Sequence, residues 1–254
     1  MTVTGKTDGL VHTERRSGVP DVGANRLLKL LTREDYKLLR RHLEPASLDY
    51  RRPLYEANEF IEFVYFVESG VASLVNTMSD GRAAEVGTIG NEGMVGLPIV
   101  LGDFRAPTNV YVQVPGAALR MSAKAFATEL QRSRSLRTVM LHYAHAFFNQ
   151  VTQSTACTHF HTLEQRCCRW VLMTRERMPS DEFLLTQEFL GMMLGVQRTS
   201  VTLAMSKLQH DNLLRYTRGH VTILDQGGLE KRACECYEMT KNEFDRLLGR
   251  RDRG

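Results

Sequence analysis

A chain of 254 residues, 43% hydrophobic and 24% charged, is long enough for two domains with real cores and excludes a disordered or fibrous protein. A formal net charge of +4 permits nucleic acid without demanding it, so any phosphate-binding surface must come from arrangement in space. No run of about 18 apolar residues is present to cross a membrane, the first residues do not resemble a signal peptide, and five cysteines do not make a disulfide framework, so a cytoplasmic location is expected.

Residues 1–22 are small, polar and charged without a period, the pattern of a flexible tail. A helix is expected from Ala24 to about His42, broken near Thr32, with Leu27, Leu28, Leu31, Tyr36, Leu38 and Leu39 as its apolar positions. From Leu48 to Met121 short β-rich runs follow: Phe63–Val67, Val71–Val75, Ala84–Ile89, Val110–Val114 and Ala117–Met121. Turn signals such as Glu68-Ser69-Gly70 and Pro115-Gly116 separate them, which predicts a jelly roll (double-stranded β-helix) within a domain over 23–134.

Ser122 is placed to cap a short helix, and a longer helix follows within 135–160. Leu136, Val139, Met140, Tyr143, Ala146, Phe147 and Val151 recur there at spacings of three and four. Such a stripe suits packing on the roll or a two-stranded dimer seam. Leu136, Met140, Tyr143, Phe147 and Val151 are assigned to the seam.

Residues 161–227 hold the most informative segment. Leu185, Phe189, Leu190, Met193 and Leu194 have helical spacing, Gly195 interrupts, and Val201, Ala204, Met205 and Leu208 resume it. With Thr186 as N-cap and Gly195 in the turn, this reads as a helix-turn-helix. Its second helix opens with Gln197, Arg198, Thr199, Ser200 and Thr202, donors and acceptors where base edges would be met. Arg198 is the candidate for bidentate contact with guanine, worth about 1–3 kcal/mol of discrimination. Lys207, Thr186 and Arg218 are candidates for phosphate contact. Leu213–Tyr216 and His220–Leu224 flank Thr217-Arg218-Gly219 as a wing, and 228–254 form a charged, partly helical extension.

Other chemistry is sparse. No histidine or cysteine occurs between Leu43 and Leu141, so the roll lacks the usual ligands of a catalytic metal, and no P-loop, GxSxG or HExxH motif is present. An enzyme is not expected. His142, His145, His159 and His161 lack nearby acidic ligands, and no metal site is expected. Cys234 and Cys236 are too close for a CxxC motif and are expected to seat the C-terminal segment. Of the adjacent Cys167 and Cys168 at most one is expected to face the core, leaving the other as a possible redox switch.

The order of roll, long helix, helix-turn-helix and hairpin, over Leu27 to Leu224, resembles the Crp/Fnr family of bacterial transcription regulators. The resemblance rests on Phe63-Val64-Tyr65-Phe66-Val67-Glu68-Ser69-Gly70, on Asn91-Glu92-Gly93-Met94-Val95-Gly96, and on Thr186 through Leu208. It implies an α+β chain with a winged helix-turn-helix, acting as a homodimer on a near-palindromic site in double-stranded DNA and in contact with RNA polymerase. Departures from the family shape the expected mechanism. Members that bind cyclic nucleotides hold the ribose through the glutamate of a Gly-Glu-Leu loop, where this chain has Gly96-Leu97-Pro98. Leucine cannot accept that hydrogen bond, and leaving the hydroxyl unpaired costs on the order of 1–3 kcal/mol. The phosphate position falls at Ala106-Pro107, flanked by Arg105 and Thr108, so an effector pocket would involve Gly96, Leu97, Arg105 and Thr108. Iron–sulfur members carry an N-terminal cysteine cluster, and residues 1–50 contain no cysteine. Neither a cyclic nucleotide nor an iron–sulfur cluster is therefore expected as cofactor. On the reading helix Arg198 matches the family pattern, while Thr199 and Leu203 replace its glutamate and second arginine, which implies a different operator. Two alternatives remain: a redox regulator working through Cys167 or Cys168, and a ligand-binding interaction module whose helix-turn-helix has lost DNA affinity.

Overall fold

The computed structural model describes residues 23–249, so the tail expected over 1–22 lies outside the described residues. Helices α1 (Arg26–Lys29) and α2 (Arg33–Arg40) form next, with the break between them falling near Thr32 as expected. Leu30 ends the first, and Thr32 caps the second by accepting from the Asp35 amide. Asn25 caps α1, and its side-chain amide donates to the carbonyls of Val67 and Gly93, pinning α1 to the roll.

The roll is one antiparallel sheet of β1 (Glu44–Leu48), β2 (Pro53–Tyr55), β3 (Phe63–Thr77), β4 (Ala83–Ile89), β5 (Met94–Val95) and β6 (Asn109–Ser122). Four of the short runs expected from the sequence are two long strands here. Glu68-Ser69-Gly70 and Pro115-Gly116 are facing bulges, not turns, and the β3–β6 register shifts on both sides of Ser69. Gly70 takes a φ of 90°, and a Cβ on Gly116 would stand 2.1 Å from the Ser69 carbonyl oxygen. The bulges bend both strands sharply, so that their two halves share one core without a chain reversal. Val64, Phe66, Met94, Val112 and Met121 fill that core.

Helices α3 (Leu97–Val100) and α4 (Ala123–Arg132, capped by Ser122) close the roll. Helix α5 (Arg134–Phe160) then runs along it. Here the sequence-based assignment is overturned. Leu136, Met140, Tyr143 and Phe147 are buried against the protein's own roll, with Val151 half-buried beside them. The Tyr143 hydroxyl donates to the Met94 carbonyl at 2.9 Å. The roll offers this stripe an apolar face within the same chain, so a second chain is not needed to bury it.

The second core is built from α6 (Leu163–Arg175), β7 (Glu182–Leu184), α7 (Gln187–Leu194), α8 (Arg198–His210), β8 (Leu214–Thr217), β9 (His220–Ile223) and α9 (Gln226–Arg232). The wing is a three-stranded sheet ordered β7-β9-β8. Helix α10 (Cys236–Leu248) lies along α5. It places Phe244 and Leu248 in the core of the roll and Tyr237 in that of the second domain. No helix of the described residues is long and apolar enough to cross a membrane.

Candidate nucleic-acid interface

Local chemistry sets the two motif helices. Thr186 caps α7 by accepting from the Phe189 amide, and Gly195 ends it with a φ of 64°. Helix α8 buries Val201, Met205 and Leu208 and turns its opposite face outward. Arg198 and Thr199 are exposed on the first turn of α8, and Gln197 is exposed just before it. Leu203, 74% exposed, lies one turn further along. An apolar side chain on an otherwise polar reading face suits contact with a thymine methyl group.

The other candidates are more constrained. Ser200 is half-buried, and the Thr202 hydroxyl is held at 2.8 Å from Gln187 Oε1. Lys207 pairs with Glu164 at 2.6 Å, which also pairs with Arg232. The Thr186 hydroxyl serves the cap and meets the Tyr50 hydroxyl of the roll at 3.3 Å. Arg218 is exposed at the wing turn with a left-handed φ of 51°. The wing turn lies over the start of α7, where the Leu185 amide donates to the Gly219 carbonyl. The Gln187 amide donates to the Tyr216 hydroxyl, so wing, α7 and α8 form one hydrogen-bonded unit. Sequence reading missed Gln187 and Tyr216 as organisers of this surface, because their partners lie 15 and 29 residues away.

Besides the Thr186–Tyr50 contact, the surface is fixed to the roll at further places. Phe189 and Met193 of α7 pack with Val75 of β3. Trp170 of α6 lies in a cluster that includes Val71 and Val114 of the roll. Arg177, just past α6, is 5% exposed at its side chain and grips Glu92 with two nitrogens, Nη2–Oε1 at 2.6 Å and Nε–Oε2 at 3.1 Å. Its Nη1 also donates to Thr88 Oγ1, and its Nη2 to Gln150 of α5. Beside this knot Glu85 accepts from Ser73, and a cavity of about 110 Å³ opens between the domains. Burial pushes the Glu85 carboxyl up to about 7.

The residues expected to form an effector pocket do not make a polar cradle. Val64 stands 2.6 Å from where a Cβ of Gly96 would lie, and Leu97 packs against the core of the roll. Arg105 lies on the surface, where Nη1 donates to the Asn58 carbonyl and the guanidinium stacks on Phe60 at 4.5 Å. The Thr108 hydroxyl is buried without a hydrogen-bond partner among the described residues.

The cysteines also depart from expectation. Cys167 and Cys168 are both buried, and burial pushes each thiol up to about 12. The exposed, readily ionised thiol that a redox switch needs is absent from this pair. The helix turns both inward because α6 is covered on one side by α9 and on another by α8. A second cluster escaped the sequence reading. Cys157 and His161, at the end of α5, meet Cys234 and Cys236, at the start of α10, with all four ligating atoms within 4.8 Å of one another.

Comparisons with known proteins agree with this architecture. Residues 47–133 match the family of cyclic nucleotide-binding domains, and residues 165–232 match that of Crp-like helix-turn-helix domains. No curated protein is matched by the sequence. Among solved structures, FixK2 of Bradyrhizobium japonicum is 14% identical with a TM-score of 0.65, covering 76% of this chain and 98% of its own. A transcriptional regulator of the Crp/Fnr family from Eubacterium rectale is 18% identical with a TM-score of 0.62, over 81% of this chain and 96% of its own. The c-di-GMP-responsive global regulator CLP of Xanthomonas campestris is 16% identical with a TM-score of 0.58, over 76% and 99%. At such identities the likeness is one of fold, whereas the two domain families carry more. In this order, and between them covering more than half of the sequence, they place the chain in the Crp/Fnr family of DNA-binding transcription regulators.

Proposed function

We propose that this regulator works in the cytoplasm as a homodimer on a near-palindromic promoter site, where it meets RNA polymerase, and that cyclic AMP is not its effector. The observation that carries the reading is the outward face of α5. Thr138, Leu141, His145, Phe148, Thr152 and Thr155 are all exposed and are spaced alternately by three and four. Leu141 is 45% and Phe148 65% exposed, although both are apolar. That spacing is the seam of a two-stranded coiled coil. Helix α10 flanks α5 through Asn149 and Gln153, beside this stripe and not over it. Two copies joined there would each present Arg198, Thr199 and Leu203, which supports a two-fold operator.

Two features argue against cyclic AMP. Leu97 offers no acceptor to a ribose hydroxyl, and Arg105 is occupied at the surface by Asn58 and Phe60. The experiment is selection of random duplex DNA by the purified, ligand-free protein, with Arg198→Ala in parallel. Enrichment of a palindrome is expected, relaxed in the variant at one position of each half-site and weakening steeply with salt. Absence of enrichment without cyclic AMP and its recovery on adding it would overturn the effector reading. Salt-independent or absent binding under both conditions would instead favour an interaction module.

A further inference from the structure

We propose that Cys157, His161, Cys234 and Cys236 form a closed Cys₃His site for a structural zinc ion, which staples the end of α5 to the start of α10. The sequence alone pointed away from a metal: the ligands are dispersed, with Cys157 and Cys234 separated by 77 residues. The fold brings them together as two local pairs. Cys157 lies on the last turn of α5, and His161, four residues on, is the residue that caps that helix, its amide donating to the Cys157 carbonyl. Cys234 and Cys236 bracket Glu235 where the chain leaves α9 and enters α10.

Two of the inter-ligand distances match the edges of a tetrahedron. Cys157 Sγ lies 3.5 Å from Cys234 Sγ, and Cys236 Sγ lies 3.5 Å from His161 Nδ1. With Zn–S bonds of about 2.3 Å and Zn–N bonds of about 2.0–2.1 Å, the edges of a tetrahedral site are about 3.5–3.8 Å. Two thiols engaged only with each other would not call for a third thiol and an imidazole nitrogen within 4.8 Å.

The surroundings match those of a metal site as well. His161 turns Nδ1 toward the sulfurs, while its Nε2 meets Glu235 Oε2 at 3.0 Å. A carboxylate on the far nitrogen fixes the ring and the tautomer that leaves Nδ1 free to ligate. Gln153 Nε2 donates to Cys236 Sγ at 3.0 Å. Three thiolates and a divalent cation leave one negative charge, and the buried guanidinium of Arg169 stands beside Cys157 to balance it. The three sulfur ligands select a thiophilic ion over magnesium or calcium, and four protein ligands leave no position for substrate, which makes the role structural.

The test is a titration of the full-length, reduced protein with Co²⁺ in the absence of oxygen. About one equivalent per chain is expected to bind, with the visible bands and sulfur-to-metal charge transfer of a tetrahedral thiolate site. Zinc should displace it. Cys234→Ser should weaken the charge transfer by about a third or more and loosen metal binding, whereas Cys167→Ala should retain both. Chelation of the protein as purified should release zinc, expose three more thiols to a thiol reagent and lower the Tm. The proposal is overturned if the folded wild-type protein gives no thiolate–cobalt spectrum. It is equally overturned if the protein as purified holds a Cys157–Cys234 disulfide, or iron with acid-labile sulfide.

Discussion

Removal of the Arg177 guanidinium is the sharpest perturbation this structure offers. Arg177 and Glu92 are 5% and 4% exposed at their side chains, and two nitrogens face two carboxylate oxygens. Arg177→Ala leaves the Glu92 carboxylate buried with a reduced set of donors, among them the Gly90 amide at 3.0 Å. Breaking one partner of such a pair costs about 3–5 kcal/mol. For a chain of this length each kcal/mol lowers Tm by about 2–4 °C, so a fall of roughly 6–20 °C is expected. The double variant Arg177→Met with Glu92→Gln removes both charges at similar volume and should recover most of that loss. Circular dichroism during thermal unfolding of wild type, Arg177→Met, Glu92→Gln and the double variant completes the cycle. If Arg177→Ala falls within about 1 kcal/mol of wild type, the pair does not clamp the domains and the reasoning fails. A double variant as unstable as the worse single would refute it too.

Three other outcomes follow from the geometry. The Glu85 carboxyl titrates near 7 in the folded protein and near 4.5 when unfolded, so the folded state holds more protons between those values and loses stability as pH rises through them. Glu85→Gln should flatten the dependence of Tm on pH in that window and raise stability above it, by at most about 3 kcal/mol. Phe148→Glu places like charges across the proposed seam and should shift sedimentation toward monomer while circular dichroism stays unchanged; an unaltered dimer would move the seam elsewhere. Gly195→Ala meets no atom within 4 Å but keeps a φ of 64°, so denaturant titration should show a loss of about 1–2 kcal/mol from backbone strain alone.

What the sequence discloses is local. Thr186, Gly195 and the spacing of Leu190, Met193, Val201 and Met205 specify the motif helices through contacts within a few residues, and the structure reproduces them. The bulges at Ser69 and Pro115-Gly116 looked like turns because their residue types are the same. Only the strand lying opposite decides whether such a site bends the strand or reverses the chain. Helix α5 carries two stripes, and the greasier was assigned to a partner. Apolar spacing tells that a face is covered, not what covers it. Arg177 reads as an ordinary surface charge until Thr88, Glu92 and Gln150 are brought round it. The four metal-ligand candidates were invisible for the same reason, being two unremarkable pairs until α10 folds back along α5.

Trp170 is the only tryptophan in the chain, and it lies buried where the second domain meets the roll, 7% exposed and lining the same cavity as Glu85. The protein therefore carries an intrinsic optical gauge at its domain seam. Ultraviolet emission from one indole, with no competing tryptophan and no added label, reports whether that seam is dry or flooded. A red shift on adding DNA or a small molecule would register separation of the two domains as it happens. A fixed emission maximum would mark a molecule that binds its operator with the seam shut.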